Sequence, residues 1–281
     1  SVAYTAQQIL KSKKIYLPYV TTLHGTDITL VGRDPAFEPV IRFSLNCSNA
    51  ITSVSESLKK DTLSTFKIDN KINVIPNFIN IREYEALGTD SLKRKHAKPG
   101  EKLLVHISNF RKVKRVDDVL KIFDKVRTEQ RAKLILVGDG PERQKIETIS
   151  RQMNLGQDVV NLGKIADPKE ILSIADLFLL PSETESFGLS ALEALAMRVP
   201  VISTNSGGLP EVNVHGSTGF LSEVGDVDEM AANSLRLLRD DMLMQQFRNN
   251  AFEQARKFDI EKVLPQYVKL YEQIIRSEQP A

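Results

Sequence analysis

The chain has one cysteine, no tryptophan and few aromatic residues, 6% of the total. Cys47 on its own forms no intrachain disulfide, and no metal-type group of cysteines and histidines accompanies it, which fits a reducing, cytoplasmic compartment. It reads as a small buried hydrophobe. No apolar run approaches the ~20 residues a membrane-spanning helix needs, and no charged-then-apolar leader opens the sequence. An excess of one charge is lacking too. Lys+Arg 38 against Asp+Glu 36 leaves a formal +2, which argues against nucleic acid as partner and leaves room for an anionic small molecule at a local positive site. The densest basic run, Lys93 to Lys98, stands beside Pro99-Gly100 and reads as a solvated loop.

What is present is an ordinary globular composition, 41% hydrophobic and 26% charged over 281 residues, enough for two domains. Short β-branched runs recur: 19–23, 50–54, 71–75, 103–107, 133–137, 159–162, 177–180 and 200–203. Uninterrupted apolar runs of this length fit strands buried on both faces of a parallel sheet. Helical periods lie between them at 117–127, 141–153, 167–175, 189–197 and 227–238, so the fold class is α/β, wound in βαβ units. Residues 258–277 carry Val263, Leu264, Tyr267, Leu270, Tyr271 and Ile274 at helical spacing, an amphipathic helix with something to cover. The opening residue is Ser1, and Val2 to Leu10 reads as a helix already in mid-domain. About three strands precede Leu103, too few for an independent doubly wound domain, so the front lobe is expected to be incomplete.

The chemistry concentrates in Pro181-Ser182-Glu183-Thr184-Glu185-Ser186-Phe187-Gly188-Leu189-Ser190-Ala191-Leu192-Glu193. A buried strand ends, a polar loop follows, and a helix begins near Phe187. Ligands of open parallel sheets sit outside the carboxyl ends of the strands, and the free N–H groups of the new helix favour phosphate. Gly188 would let a ligand approach the backbone. Glu193 lies roughly 9 Å along the helix from its start, so Glu185 and Glu193 could bracket a diphosphate and accept hydroxyls at its two ends. Taken alone, the residues equally allow Glu185 as a helix cap and Glu193 as a solvated helix residue.

Glu185 and Glu193, with Phe187-Gly188 between them, resemble the E-x-F-G-x4-E motif of retaining glycosyltransferase family four. Five further stretches agree in order and spacing: 22–27, 54–58, 74–77, 137–142 and 204–211. The resemblance spans nearly the whole chain. It implies the GT-B fold, two Rossmann-like lobes with a cleft between them: 1–80 as what remains of an acceptor-binding lobe, 81–257 as the nucleotide-sugar lobe, and 258–281 packing back toward the first. Two more individual stretches, 24–32 and 106–118, are similar to one branch of the family. That likeness implies UDP-N-acetylglucosamine as donor, L-malate as acceptor and the first step of bacillithiol biosynthesis.

The same resemblance assigns residues. Lys114 holds the family's lysine position; its arginine position is filled by Asn109, with Arg111 as a stand-in. These cations would neutralise a diphosphate leaving group, whereas Lys112 and Arg115 read as surface residues. Glu185, Lys114, Arg111 and His24 form the expected catalytic set. Asn109, Gly163, Lys164, Ser186, Phe187, Gly188, Leu189 and Glu193 would bind the donor. Thr26, Arg33 and Arg42 would bind the acceptor, an arginine suiting a dicarboxylate. His96, His106 and His215 carry no functional expectation. Front-face attack with retention, lobe closure, no cofactor and no metal are implied, and a homo-oligomer stays open. Other acceptors, a glycosidase using the two glutamates, and an inactive sugar-nucleotide-binding fragment are the rivals. Met197-Arg198 replaces the small residue and glycine that relatives carry after the motif helix, which predicts a strained left-handed residue there.

Overall fold

A computed structural model of the chain describes residues 2–25, 28, 34, 36–84 and 90–278. It divides into two units, one of residues 1–78 with 258–281, the other Ile79–Lys257.

In the first unit the described strands β1 (Val20–Leu23), β2 (Ala50–Ser53) and β3 (Ile72–Val74) form a parallel three-stranded sheet in the order β1-β2-β3. Helices α1 (Val2–Ser12), α2 (Glu38–Asn46) and α3 (Glu56–Thr65) accompany it. Ser55 starts α3 by accepting the Leu58 N–H at 3.0 Å, which satisfies one orphan donor of the first turn. Cys47 is half-buried rather than fully enclosed.

The second unit carries β4 (Lys102–Ile107), β5 (Ala132–Val137), β6 (Val159–Gly163), β7 (Leu177–Leu180), β8 (Val201–Thr204) and β9 (Gly219–Ser222). All pair in parallel in the order β6-β5-β4-β7-β8-β9. Numbered from β4 this is 3-2-1-4-5-6, the dinucleotide-fold order, whose direction reverses between β4 and β7. Every residue of β7 and β8 is buried, as the unbroken apolar runs required. Helices α4 (Asp90–His96), α5 (Val116–Glu129), α6 (Arg143–Gln152), α7 (Lys169–Ser173), α8 (Leu189–Ala196), α9 (Leu209–Val212), α10 (Val227–Arg239) and α11 (Asp241–Ala255) complete the unit. Asp226 and Asp240 cap α10 and α11 by accepting Glu229 and Leu243 N–H, each at 2.9 Å.

The terminal helix, α12 (Ile260–Glu278), belongs to the first unit, where the Tyr267 ring meets Phe78 edge-on at 6.4 Å. The basic run read as a solvated loop is instead largely helical. Lys93 on α4 reaches the buried Asp176 carboxylate at 2.8 Å, with Arg248 sharing it at 3.1 Å. A long-range partner decided the conformation there. Among the described residues no helix is long and apolar enough to cross a membrane.

Candidate functional site

The reversal point between β4 and β7 lies in the second unit, and the two loops leaving these strands carry the most reactive groups. Lys114, at the end of a 3-10 turn after β4, meets Glu185 of the loop after β7, Nζ to Oε1 2.5 Å. Ser182 donates its hydroxyl to the same carboxylate oxygen at 3.0 Å. Both charged side chains are mostly enclosed, 19% and 12% exposed, so the pair is stronger than a solvated one. Backbone holds the loops together as well: Glu183 N–H donates to Val113 C=O at 2.8 Å.

A third loop presses on the glutamate loop from behind. Gly208 N–H donates to Glu185 C=O at 2.8 Å, and Thr204 and Ser206 hydroxyls bond the carbonyls of Ser182 and Glu183. Gly207 stands at φ +58°, and a Cβ there would collide with the Glu185 carbonyl. The glycines of 204–211 therefore serve the placement of Glu185.

Helix α8 begins at Gly188, which takes φ +95°, and among the described residues no side chain caps it, so the first-turn N–H groups are open to a ligand. The reason for glycine is local: a Cβ would lie 2.7 Å from the Leu209 side chain. Phe187 is buried at 3% exposure, so its ring is core and only its backbone faces the turn, while Ser186 is half-buried and Leu189 exposed. Glu193, on the second turn of α8, is not a solvated helix residue. Burial, reinforced by Asp167 and opposed by Lys169, raises its pKa above the usual carboxylate value. Tyr84 belongs to the same neighbourhood; burial and then the charges of Glu193, Glu83 and Asp167 raise its phenol. Lys169 lies 5.5 Å from the Tyr84 ring centroid and pairs with Glu83 at 3.2 Å and Asp167 at 3.4 Å. Sequence spacing gave no sign of Tyr84, which lies 109 positions before Glu193.

On the lysine loop, Asn109 and Arg111 are exposed and Lys112 is a surface residue. Arg115 corrects the sequence reading. It adopts the left-handed region at φ +47° and binds the Asp118 carboxylate at 2.5 Å, and Asp118 is 1% exposed. Its basic neighbours disguised an anchor. Gly163 sits at φ +66° with its N–H held by Asn161 Oδ1 at 3.0 Å, and Lys164 next to it is exposed. Arg198 takes φ +59° after α8, as the missing glycine predicted, and its guanidinium covers the Phe252 ring at 4.1 Å.

In the first unit, His24 follows β1 and is exposed, with Gly25 after it at φ +118°. Arg42 stands on α2 beside Glu38, 3.5 Å away. Thr26 and Arg33 lie outside the described residues.

The family described as Glycosyl transferases group 1 matches residues 89–254, and Glycosyltransferase Family 4 matches residues 3–83. Over 278 residues the chain is 43% identical to N-acetyl-alpha-D-glucosaminyl L-malate synthase of Bacillus anthracis, covering 98% of this chain and 72% of that protein. An uncharacterized glycosyltransferase of Methanocaldococcus jannaschii is 28% identical over 269 residues, covering 91% and 69%. Among solved structures, Anabaena Alr3699/HepE in complex with UDP and glucose superposes with a TM-score of 0.86 at 21% identity, covering 96% of this chain and 74% of that one. TarM of S. aureus gives a TM-score of 0.77 at 24% identity, covering 90% and 50%.

Proposed function

Because the chain belongs to glycosyltransferase family four and has the GT-B fold, we propose that it moves N-acetylglucosamine from UDP-N-acetylglucosamine to L-malate with retention at the anomeric carbon. The observation that carries the choice of substrates is the 43% identity, held over nearly the whole chain, to a relative named for that product. The site supports the chemistry. Open N–H groups at the start of α8 suit a diphosphate, and Lys114 and Arg111 stand on the loop across the reversal point, where they would stabilise the charge that grows on the departing UDP. Glu185 would accept a sugar hydroxyl and Glu193 the ribose hydroxyls, bracketing the diphosphate from either end.

Attack from the face the leaving group vacates would pass through an oxocarbenium-like state, with the departing phosphate taking the acceptor proton. The protein contributes position and electrostatics. With cationic side chains supplying the positive charge, transfer proceeds without a cofactor or added metal, and full activity in EDTA is the expected outcome. Arg42, with Thr26 and Arg33, remains the proposed source of contacts to the malate carboxylates, and His24 a contact to the transferred sugar or acceptor. The reaction would open bacillithiol synthesis in the cytoplasm.

The test is incubation with UDP-N-acetylglucosamine and L-malate, with products read by mass spectrometry and the anomeric proton by NMR. An α-linked N-acetylglucosaminyl malate supports the proposal. Transfer to inositol phosphate or to an oligosaccharide in preference to malate would replace the acceptor while leaving the family intact.

A further inference from the structure

His106 is the one histidine buried completely, at 0% exposure, and nothing above uses it. It lies on β4, next to β7, and both of its ring nitrogens are bonded: Nδ1 to the Leu179 carbonyl oxygen at 2.8 Å and Nε2 to Ser108 Oγ at 2.7 Å. A carbonyl oxygen only accepts, so Nδ1 carries the proton and Nε2 is the acceptor. The Ser108 hydroxyl therefore donates to the ring. Burial, opposed by the Leu179 bond and supported by the nearby Lys114 charge, lowers the imidazole pKa to about 4, so it stays neutral at working pH. Phe110 and Phe178 stack beside the ring at 6.3 and 6.5 Å.

An aliphatic or aromatic residue of similar volume would fill this space without needing two polar partners. What histidine adds is a rigid polar bridge. One end holds Ser108, the first residue of the loop that carries Lys114. The other holds Leu179, on the strand that feeds the loop of Glu185. Nearer their tips the two loops also meet through Lys114–Glu185 and Glu183–Val113.

We propose that His106 is a positioning residue for sugar transfer, a strut from Ser108 to Leu179 that sets where Lys114 stands relative to the diphosphate. The proposal rests on the glycosyltransferase reading of this site. A misplacement of about 1 Å at a charge-stabilising group can cost on the order of 100-fold in rate, so a strut at the root of the loop matters although it touches no substrate.

The experiment uses the full chain and a double-mutant cycle. His106→Phe keeps the ring volume and loses both bonds. It is expected to lower kcat roughly tenfold or more and to weaken UDP binding, measured by calorimetry, roughly threefold. His106→Gln, which can both donate and accept, is expected to recover most of either loss. In a Lys114→Ala background, His106→Phe should cost less than about twofold, because the strut then has no lysine to place. A residue that only stabilises the core would cost the same in both backgrounds, and that result overturns the proposal. So does unchanged kcat in a folded His106→Phe. If circular dichroism shows that variant unfolded, Ser108→Ala, which breaks one end only, carries the same cycle. Should the wild type transfer nothing to malate, the substrate assignment fails by itself. The strut is then judged from UDP affinity alone, by whether the loss disappears with Lys114.

Discussion

Lys114 and Glu185 neutralise each other at 2.5 Å in the free protein, so a diphosphate that takes the lysine must first part it from the carboxylate. This gives Glu185→Gln two opposite effects. Transfer should slow tenfold or more for want of the sugar contact, while UDP alone should bind a few-fold tighter because nothing competes for Lys114. Lys114→Ala should slow transfer to a similar degree and weaken UDP. Steady-state kinetics and calorimetry on the two variants read both arms. Glu193 shows a related tension. Its raised pKa means that the folded state holds the proton better than the unfolded one, so stability falls as pH rises through that window, and at neutral pH the ionised carboxylate is a liability. Glu193→Gln should raise Tm by about 2 °C and weaken UDP on the order of tenfold. A lowered Tm would mean that Glu193 is stabilised by partners rather than poised for a ligand.

At the scale of elements, three connections act on one carboxylate. The 3-10 turn at Lys112–Lys114, the loop after β7 and the glycine turn before α9 are joined by backbone hydrogen bonds, and Gly207 permits the closest of these approaches. Gly207→Ala combines left-handed strain with a collision on the Glu185 carbonyl. It should destabilise by about 1–3 kcal/mol and depress transfer more than the stability loss explains. The end of α8 shows how an unfavourable residue is tolerated. Arg198 at φ +59° costs about 1 kcal/mol relative to glycine, and its stacking on Phe252 returns a comparable amount. Arg198→Gly should thus be near neutral in thermal melts, while Arg198→Ala, which keeps the strain and loses the ring contact, should lower Tm. The motif E-x-F-G-x4-E exposed this helix and its loop to inspection beforehand. The Arg115–Asp118 anchor was not visible, because the four basic residues of 111–115 look alike until one of them meets a buried acid.

For the whole molecule, acid stability should be governed in part by one residue. His106 titrates near 6.5 when unfolded and about 4 when folded, so the unfolded chain binds the extra proton first and stability is lost as pH falls from 6.5 toward 4. Tm measured from pH 7 down to pH 4.5 should decline through this window, and His106→Phe should flatten that part of the curve. Much of the architecture was present in the local pattern. Apolar runs buried on both faces and helices between them allow little besides a parallel α/β fold, and a strand-loop-helix with two acids marks the site we propose for its ligand, because periodicity and turn chemistry are short-range properties. Which groups meet was decided only on folding. Lys114 and Glu185 are 71 positions apart, Lys93 and Asp176 are 83, and Tyr84 and Glu193 are 109. Such pairings depend on the 3-2-1-4-5-6 strand order, which brings the loops after β4 and β7 together at the carboxyl ends of the strands and the segments before them together at the amino ends, and on burial, which alters the proton affinity of Glu193, Tyr84 and His106.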